Sequence, residues 1–119
     1  MKYIFIIVIV IMVYYGFYFQ GLSDIYTLPI IRSKEDVMQA IAECESGNRQ
    51  FDKDYRLIVH HNANGTYDVG IYQINSTWND VAYTLGYNTF DREDNIRFAN
   101  WLYEQQGVSP WLSSYNCWK

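Results

Sequence analysis

The hydrophobic and polar positions of this chain fall into two regimes. From Tyr3 to Phe19 every residue is apolar, aromatic or glycine; Lys2 precedes the run, and no further charge occurs until Asp24. A run with no polar face is not the amphipathic helix of a globular surface. At about 17 residues it is near the lower limit for crossing a bilayer. The basic start followed by an apolar stretch also fits a secretory signal. No small-x-small cleavage pattern stands out among the bulky residues from Tyr14 to Gln20, which favours an uncleaved anchor. Residues 1–22 are therefore read as a signal anchor or signal peptide, with Lys2 on the cytoplasmic side. Residues 23–32 are read as a spacer containing Pro29.

From residue 33 to 119 the pattern changes to short periodic segments. Ser33 reads as a helix N-cap, with Asp36 three residues on in a capping-box arrangement. Val37, Ala40, Ile41 and Cys44 follow at helical spacing, predicting a helix from Lys34 to Glu45 that Ser46, Gly47 and Asn48 end. Arg56 to His60 reads as a short strand. Asn62-Ala63-Asn64-Gly65 is a strong turn signal, and Thr66 to Gly70 reads as the returning strand of a hairpin. A second helix is expected from Ser76 to Leu85, stopped by Gly86. A third is expected from Asp91 to Gln106, with Ile96, Ala99 and Tyr103 on one face and Gly107 at its end. Ser109 to Lys119 reads as an aromatic-rich loop. The fold class is thus α+β and predominantly helical, with a small β-hairpin after the first helix.

Length allows one domain, and one of this size folds alone only marginally. A cross-link would help. The chain holds two cysteines, Cys44 and Cys117, and an even count in an exported chain suggests a disulfide rather than two free thiols. Closing a loop of about 74 residues stabilises by roughly 4 kcal/mol in the chain-entropy picture. Two cysteines and two histidines at these spacings do not make a zinc site, and no metal or organic cofactor is expected. The net charge of −4 argues against nucleic acid as a partner and against a cationic antibacterial agent. Twelve Tyr and four Trp allow a carbohydrate site with aromatic faces without requiring one.

Two acids occupy distinctive places. Glu45 closes an apolar-faced helix, where burial disfavours the charged form and raises the pKa. Such a group can hand a proton to a glycosidic oxygen. Asp68 follows the hairpin turn, in a more polar setting suited to an ionised carboxylate. Two carboxyls in unlike environments can divide the work of glycoside cleavage. Among 13 acids the bland alternatives are a surface acid at a helix end for Glu45, with Glu43 as a rival, and a turn cap for Asp68. His60 and His61 read as exposed loop residues, and Ile74 and Trp78 as core. Asn64-Gly65-Thr66 and Asn75-Ser76-Thr77 match the glycosylation pattern by chance.

The run Asn64-Gly65-Thr66-Tyr67-Asp68-Val69-Gly70-Ile71-Tyr72-Gln73-Ile74-Asn75-Ser76-Thr77-Trp78 closely resembles the hairpin signature of chicken-type lysozymes. Glu45-Ser46 is similar to the pair that carries the catalytic acid in those lysozymes and in soluble lytic transglycosylases. Gly70-Ile71-Tyr72-Gln73 is similar to the Gly-Leu-Met-Gln motif of the transglycosylases. Asp94 to Ala99, and the ending Pro110-Trp111…Ser114…Cys117-Trp118, resemble small bacterial lysozyme-like domains. The resemblance spans about residues 35 to 118 and implies a lysozyme-like fold. It implies cleavage of the β-1,4 bond between N-acetylmuramic acid and N-acetylglucosamine in peptidoglycan. Glu45 is then the general acid, and Asp68 the nucleophile or the stabiliser of an oxocarbenium-like transition state. Gln73 and Asn75 face the cleft and bond the sugar, Gly70 leaves room for close approach, and Trp111 belongs to the core or to the cleft wall.

The chain also departs from the pattern. Chicken-type lysozymes carry more disulfides and a shorter spacing between the two acids. Soluble lytic transglycosylases lack a second carboxylate and form an anhydro sugar with help from the substrate, and their later tyrosine has no clear counterpart here. Asp68 favours hydrolysis. The alternatives are a lytic transglycosylase, a silent peptidoglycan-binding module, and a membrane-anchored part of an envelope-spanning assembly that opens the wall locally.

Overall fold

A computed structural model describes residues 32–119. The expected anchor at 1–22 and nearly all of the 23–32 spacer lie outside the described residues. The described part is a small α+β unit, about half helical, with a three-stranded antiparallel sheet. Among the described residues no helix is long and apolar enough to cross a membrane.

Helix α1 is Lys34–Ser46 and begins as its sequence predicts. Ser33 Oγ accepts the Asp36 amide at 3.1 Å, and Asp36 Oδ2 accepts the Ser33 amide at 3.2 Å, so two otherwise orphaned donors are satisfied. Met38, Ile41 and Ala42 form its buried face. Gly47 ends it at φ 63°, with its own amide on Glu43 O and the Asn48 amide on Ala42 O. This paired closure needs a left-handed residue, which glycine supplies without a Cβ clash.

Strand β1 is Val59–His61, shifted from the expected Arg56–His60. The reason is local. Asp52 Oδ1 accepts the amides of Asp54 and Arg56, and the Arg56 guanidinium pairs with Asp52 and Asp54. Residues 52–56 are thereby held in a side-chain-supported turn. Leu57 makes only an isolated bridge, to Phe51. Strand β2 is Tyr67–Val69, with His60 opposite Asp68. His60 and His61 are exposed, on a strand rather than in a loop. A third strand, β3, Ile74–Asn75, pairs Asp68 with Asn75. Two residues of strand after a tight turn leave no periodic signal, so β3 is not readable in the sequence.

The expected second helix is a 3-10 turn, Ser76–Trp78, running into α2, Asn79–Thr84. Helix α3 is Arg92–Gln106, capped by Asp91 Oδ1 on the amides of Glu93 and Asp94. Its buried face is Asn95, Phe98, Ala99 and Leu102, which places Ile96 and Tyr103 on its flank. The tail corrects the sequence reading: Ser109–Ser114 is 3-10 turn with a kink at Trp111, and Tyr115–Trp118 is a short helix, α4, not loop. Trp111, 2% exposed, anchors it by donating its indole N–H to Tyr72 O at 2.9 Å. Cys44 and Cys117 form a disulfide that ties α4 to α1. Such bonds persist in oxidising compartments outside the cytoplasm.

A buried polar cluster fixes the turn between β2 and β3. Gln50 Oε1 accepts the Ile71 amide at 2.8 Å, and Asn95 Oδ1 accepts the Tyr72 amide at 3.1 Å. The other ends of both amides donate to carbonyls, Gln50 to Thr89 and Phe90, Asn95 to Val69 and Thr89. Gly70, at φ 77°, lies against both, and a Cβ there would come within 2.6 Å of Asn95 Nδ2. Gly70 is therefore buried against this cluster and is not among the cleft-lining residues; its lack of a side chain serves the turn.

Candidate active site

The cleft is assembled by three elements, each placed by features already described. The last turn of α1 supplies Glu45. The sheet and the turn between β2 and β3 supply Asp68, Gln73 and Asn75. The tail supplies Trp111 and Ser113. These residues, with Ile74, Trp78, Leu102 and Pro110, enclose about 310 Å³. A larger apolar cavity of about 440 Å³, lined by Tyr83, Tyr87 and Phe90 among others, contains no carboxyl.

Ser46 sets where Glu45 sits. Its hydroxyl donates to Ile71 O at 2.8 Å and accepts the Arg49 amide at 3.0 Å. This ties the end of α1 to the turn that carries Gln73. Glu45 itself is half-buried, and burial is the main cause that lifts its carboxyl above the ordinary value of 4.5. The Ser114 hydroxyl, donating to Glu45 Oε1 at 2.5 Å, pulls the other way. The nearby charge of Asp68 adds a further upward push, and the net direction is up.

Asp68 is held differently. Asn62 Nδ2 donates to its Oδ2 at 2.9 Å and Asn75 Nδ2 to its Oδ1 at 2.6 Å. Both carboxylate oxygens are thus fixed by neutral amides. Thr66 Oγ1 accepts from both asparagines, at 3.1 and 3.2 Å, locking the pair into one unit. The result is two carboxyls facing one cleft, one half-buried and one in a cradle of donors. Such a pair can supply a proton and a fixed negative charge to the same substrate.

Four of the residues singled out in the sequence, Glu45, Asp68, Gln73 and Asn75, line this one cleft, and so does the wall residue Trp111. Their local bonds refine their parts. Asn75 spends one end of its amide on Asp68 and the other on the Thr77 amide, so its first task is to orient Asp68. Gln73, at φ 46°, donates to Gly70 O at 2.8 Å, and among the described residues nothing bonds its Oε1. Ile74 is core and Trp78 is packed against it, and both also reach the cleft. Tyr115 is exposed, stacked edge-on against Trp118. Among the described residues no group of three His, Cys, Asp or Glu side chains is arranged to hold a metal.

Sequence reasoning missed Asn62 and Ser114. Asn62 was legible only as a turn former, although a hairpin that turns at Asn64-Gly65 brings it alongside Asp68. Ser114 had one usable signal: it lies three residues before Cys117, and a Cys44–Cys117 bond returns it to the residue after Cys44. Comparison with protein-family models, with curated proteins and with solved structures finds no match.

Proposed function

We propose that this protein cleaves the glycan strands of peptidoglycan, with Glu45 as general acid and Asp68 as its charged partner. The observation that carries the reading is the unlike environment of the two carboxyls in one cleft: Glu45 raised by burial, Asp68 held by two asparagine amides. The resemblance of residues 64–78 to the lysozyme hairpin signature supplies the substrate class, and a lysozyme-like fold with it.

In this reading Glu45 gives its proton to the glycosidic oxygen as the C–O bond breaks and the bonding pair leaves with that oxygen. Positive charge grows at the anomeric carbon and is met by Asp68. Water then adds, and its proton returns to Glu45. The Asn62 and Asn75 amides hold the Asp68 oxygens in place while the charge develops, so no reorganisation is needed at that moment. Gln73, whose Oε1 is unbonded among the described residues, is the side chain to receive a donor from the sugar. The disulfide and the apolar run at residues 3–19 support a site of action outside the cytoplasm, membrane-anchored or secreted.

The test is mass spectrometry of the soluble products released from purified sacculi by the disulfide-bonded protein, beside Glu45→Gln. Reducing-end muramic acid, lost in the variant, is the expected result. Anhydro-muramic products would instead mean a transglycosylase and leave Asp68 a structural role. No release by protein that is folded and bound to sacculi would overturn the enzyme reading and leave a binding module.

A further inference from the structure

Ser114 has more partners than protons. Its oxygen lies 2.5 Å from Glu45 Oε1 and 3.1 Å from Trp111 O, and it receives the Trp118 indole N–H at 3.1 Å. A hydroxyl has one proton to give and two lone pairs with which to accept. Trp118 takes one lone pair and, donating also to Trp111 O at 3.0 Å, holds the oxygen in place. The remaining choice is where the single proton points. Toward Glu45 it occupies Oε1; toward the Trp111 carbonyl it leaves Oε1 facing a lone pair.

Glu45 Oε2 has no bonding partner among the described residues. The two oxygens of the acid are therefore not equivalent. The geometry points to Ser114 as a positioning residue that reserves Glu45 Oε1 for itself and so directs the transferable proton to Oε2, the oxygen left free for the substrate. This rests on the reading of Glu45 as the acid. With Glu45 ionised, the hydroxyl donates to Oε1 and keeps the carboxylate from swinging. With Glu45 protonated at Oε2, the same bond remains, so the side chain keeps its pose through both halves of the cycle. Among the described residues Asp68 on β2 is the only other carboxyl lining the cleft. Glu43, two residues earlier on α1 and so on the other side of the helix, is exposed and bonds Gln39.

Ser114→Ala and Ser114→Thr, in the full disulfide-bonded chain, test this with two readouts. One is the titration of Glu45 followed by carbon NMR of labelled glutamate; the other is the pH profile of sacculus cleavage. Ser114→Ala is expected to move the Glu45 midpoint and the alkaline limb of the profile together to higher pH. It is also expected to lower kcat about tenfold with little change in KM, and Ser114→Thr restores both. If Ser114→Ala does not fold, Ser114→Val against Ser114→Thr makes the same comparison, since the two share a shape and differ in the hydroxyl. A folded variant without the hydroxyl whose midpoint and limb stay where they are overturns the inference. A moved midpoint in a protein that cleaves no glycan upholds the hold of Ser114 on the carboxyl while removing the glycan-cleavage reading.

Discussion

Asn75 donates its side-chain amide to Asp68 Oδ1 at 2.6 Å, and the two residues face each other as register partners on neighbouring strands. The carboxylate is therefore oriented by the sheet itself. Removing the amide with Asn75→Ala takes away a bond to a charged group and one cap of the following 3-10 turn. The expected cost, at a site open to solvent on one side, is about 1 kcal/mol of stability and about a tenfold fall in kcat. Chemical denaturation and sacculus cleavage measure the two separately. The expected loss of about 1 kcal/mol with unchanged cleavage would show that Asn75 serves only the turn.

Asp68→Asn removes the charge that faces Glu45. Cleavage should fall about a hundredfold or more if Asp68 meets the growing positive charge. Because that charge helps to hold the Glu45 midpoint up, the same change should move the midpoint down. Carbon NMR of Glu45 gives the second result even where no activity can be measured.

Glu45→Gln should abolish the general-acid contribution, about 10²- to 10⁴-fold, and leave the protein folded. It should also change how stability depends on pH. A carboxyl raised in the folded state binds its proton more tightly there than in the unfolded chain. Stability from this group is therefore present below the ordinary value of 4.5 and is lost as pH rises from 4.5 through the raised folded value. The variant should gain on the wild type across that window and keep the gain above it. Thermal melts at several pH values decide, and a constant difference would mean that Glu45 is not held out of water.

Opening the disulfide, by reductant or by Cys117→Ser, unties a loop whose ends are 73 residues apart. About 4 kcal/mol is the expected loss in the chain-entropy picture. Cleavage should fall before the fold does, since α4 carries the cysteine and the preceding residue, Ser114, holds the acid. Parallel traces of activity and tryptophan fluorescence against reductant concentration would reveal whether the two losses separate.

Gly70→Ala places a methyl against Gln50 and Asn95 at a positive φ. About 1–3 kcal/mol of strain is expected, read as a lower denaturation midpoint. A wild-type midpoint would mean that the Gln50–Asn95 cluster yields easily.

The elements that could be read in the sequence are those set by local bonds. Ser33 and Asp36 close their box whatever the rest of the chain does, Gly47 can end a helix by itself, and Asn64-Gly65 turns the hairpin. Glu45, Asp68, Gln73 and Asn75 were legible because three of them lie within one contiguous signature and the fourth ends a readable helix. What stayed hidden was set at a distance. β3 exists because Gln50 and Asn95, 20 or more residues away in sequence, accept the amides of its turn. The tail is helical because Trp111 reaches Tyr72, and a run of aromatics alone carries no periodicity that would say so.

The bond between Ser114 and Glu45 spans 69 positions of the chain. The helix that carries the acid and the hairpin that carries its partner are both made long before Ser114 is added. During synthesis, then, a chain can own both carboxyls before the residue that holds its glutamate exists. Its glutamate gains this hold only when the later-made tail returns to α1 and is fastened there by the disulfide. On the proposed reading, full activity toward the wall waits on that closure.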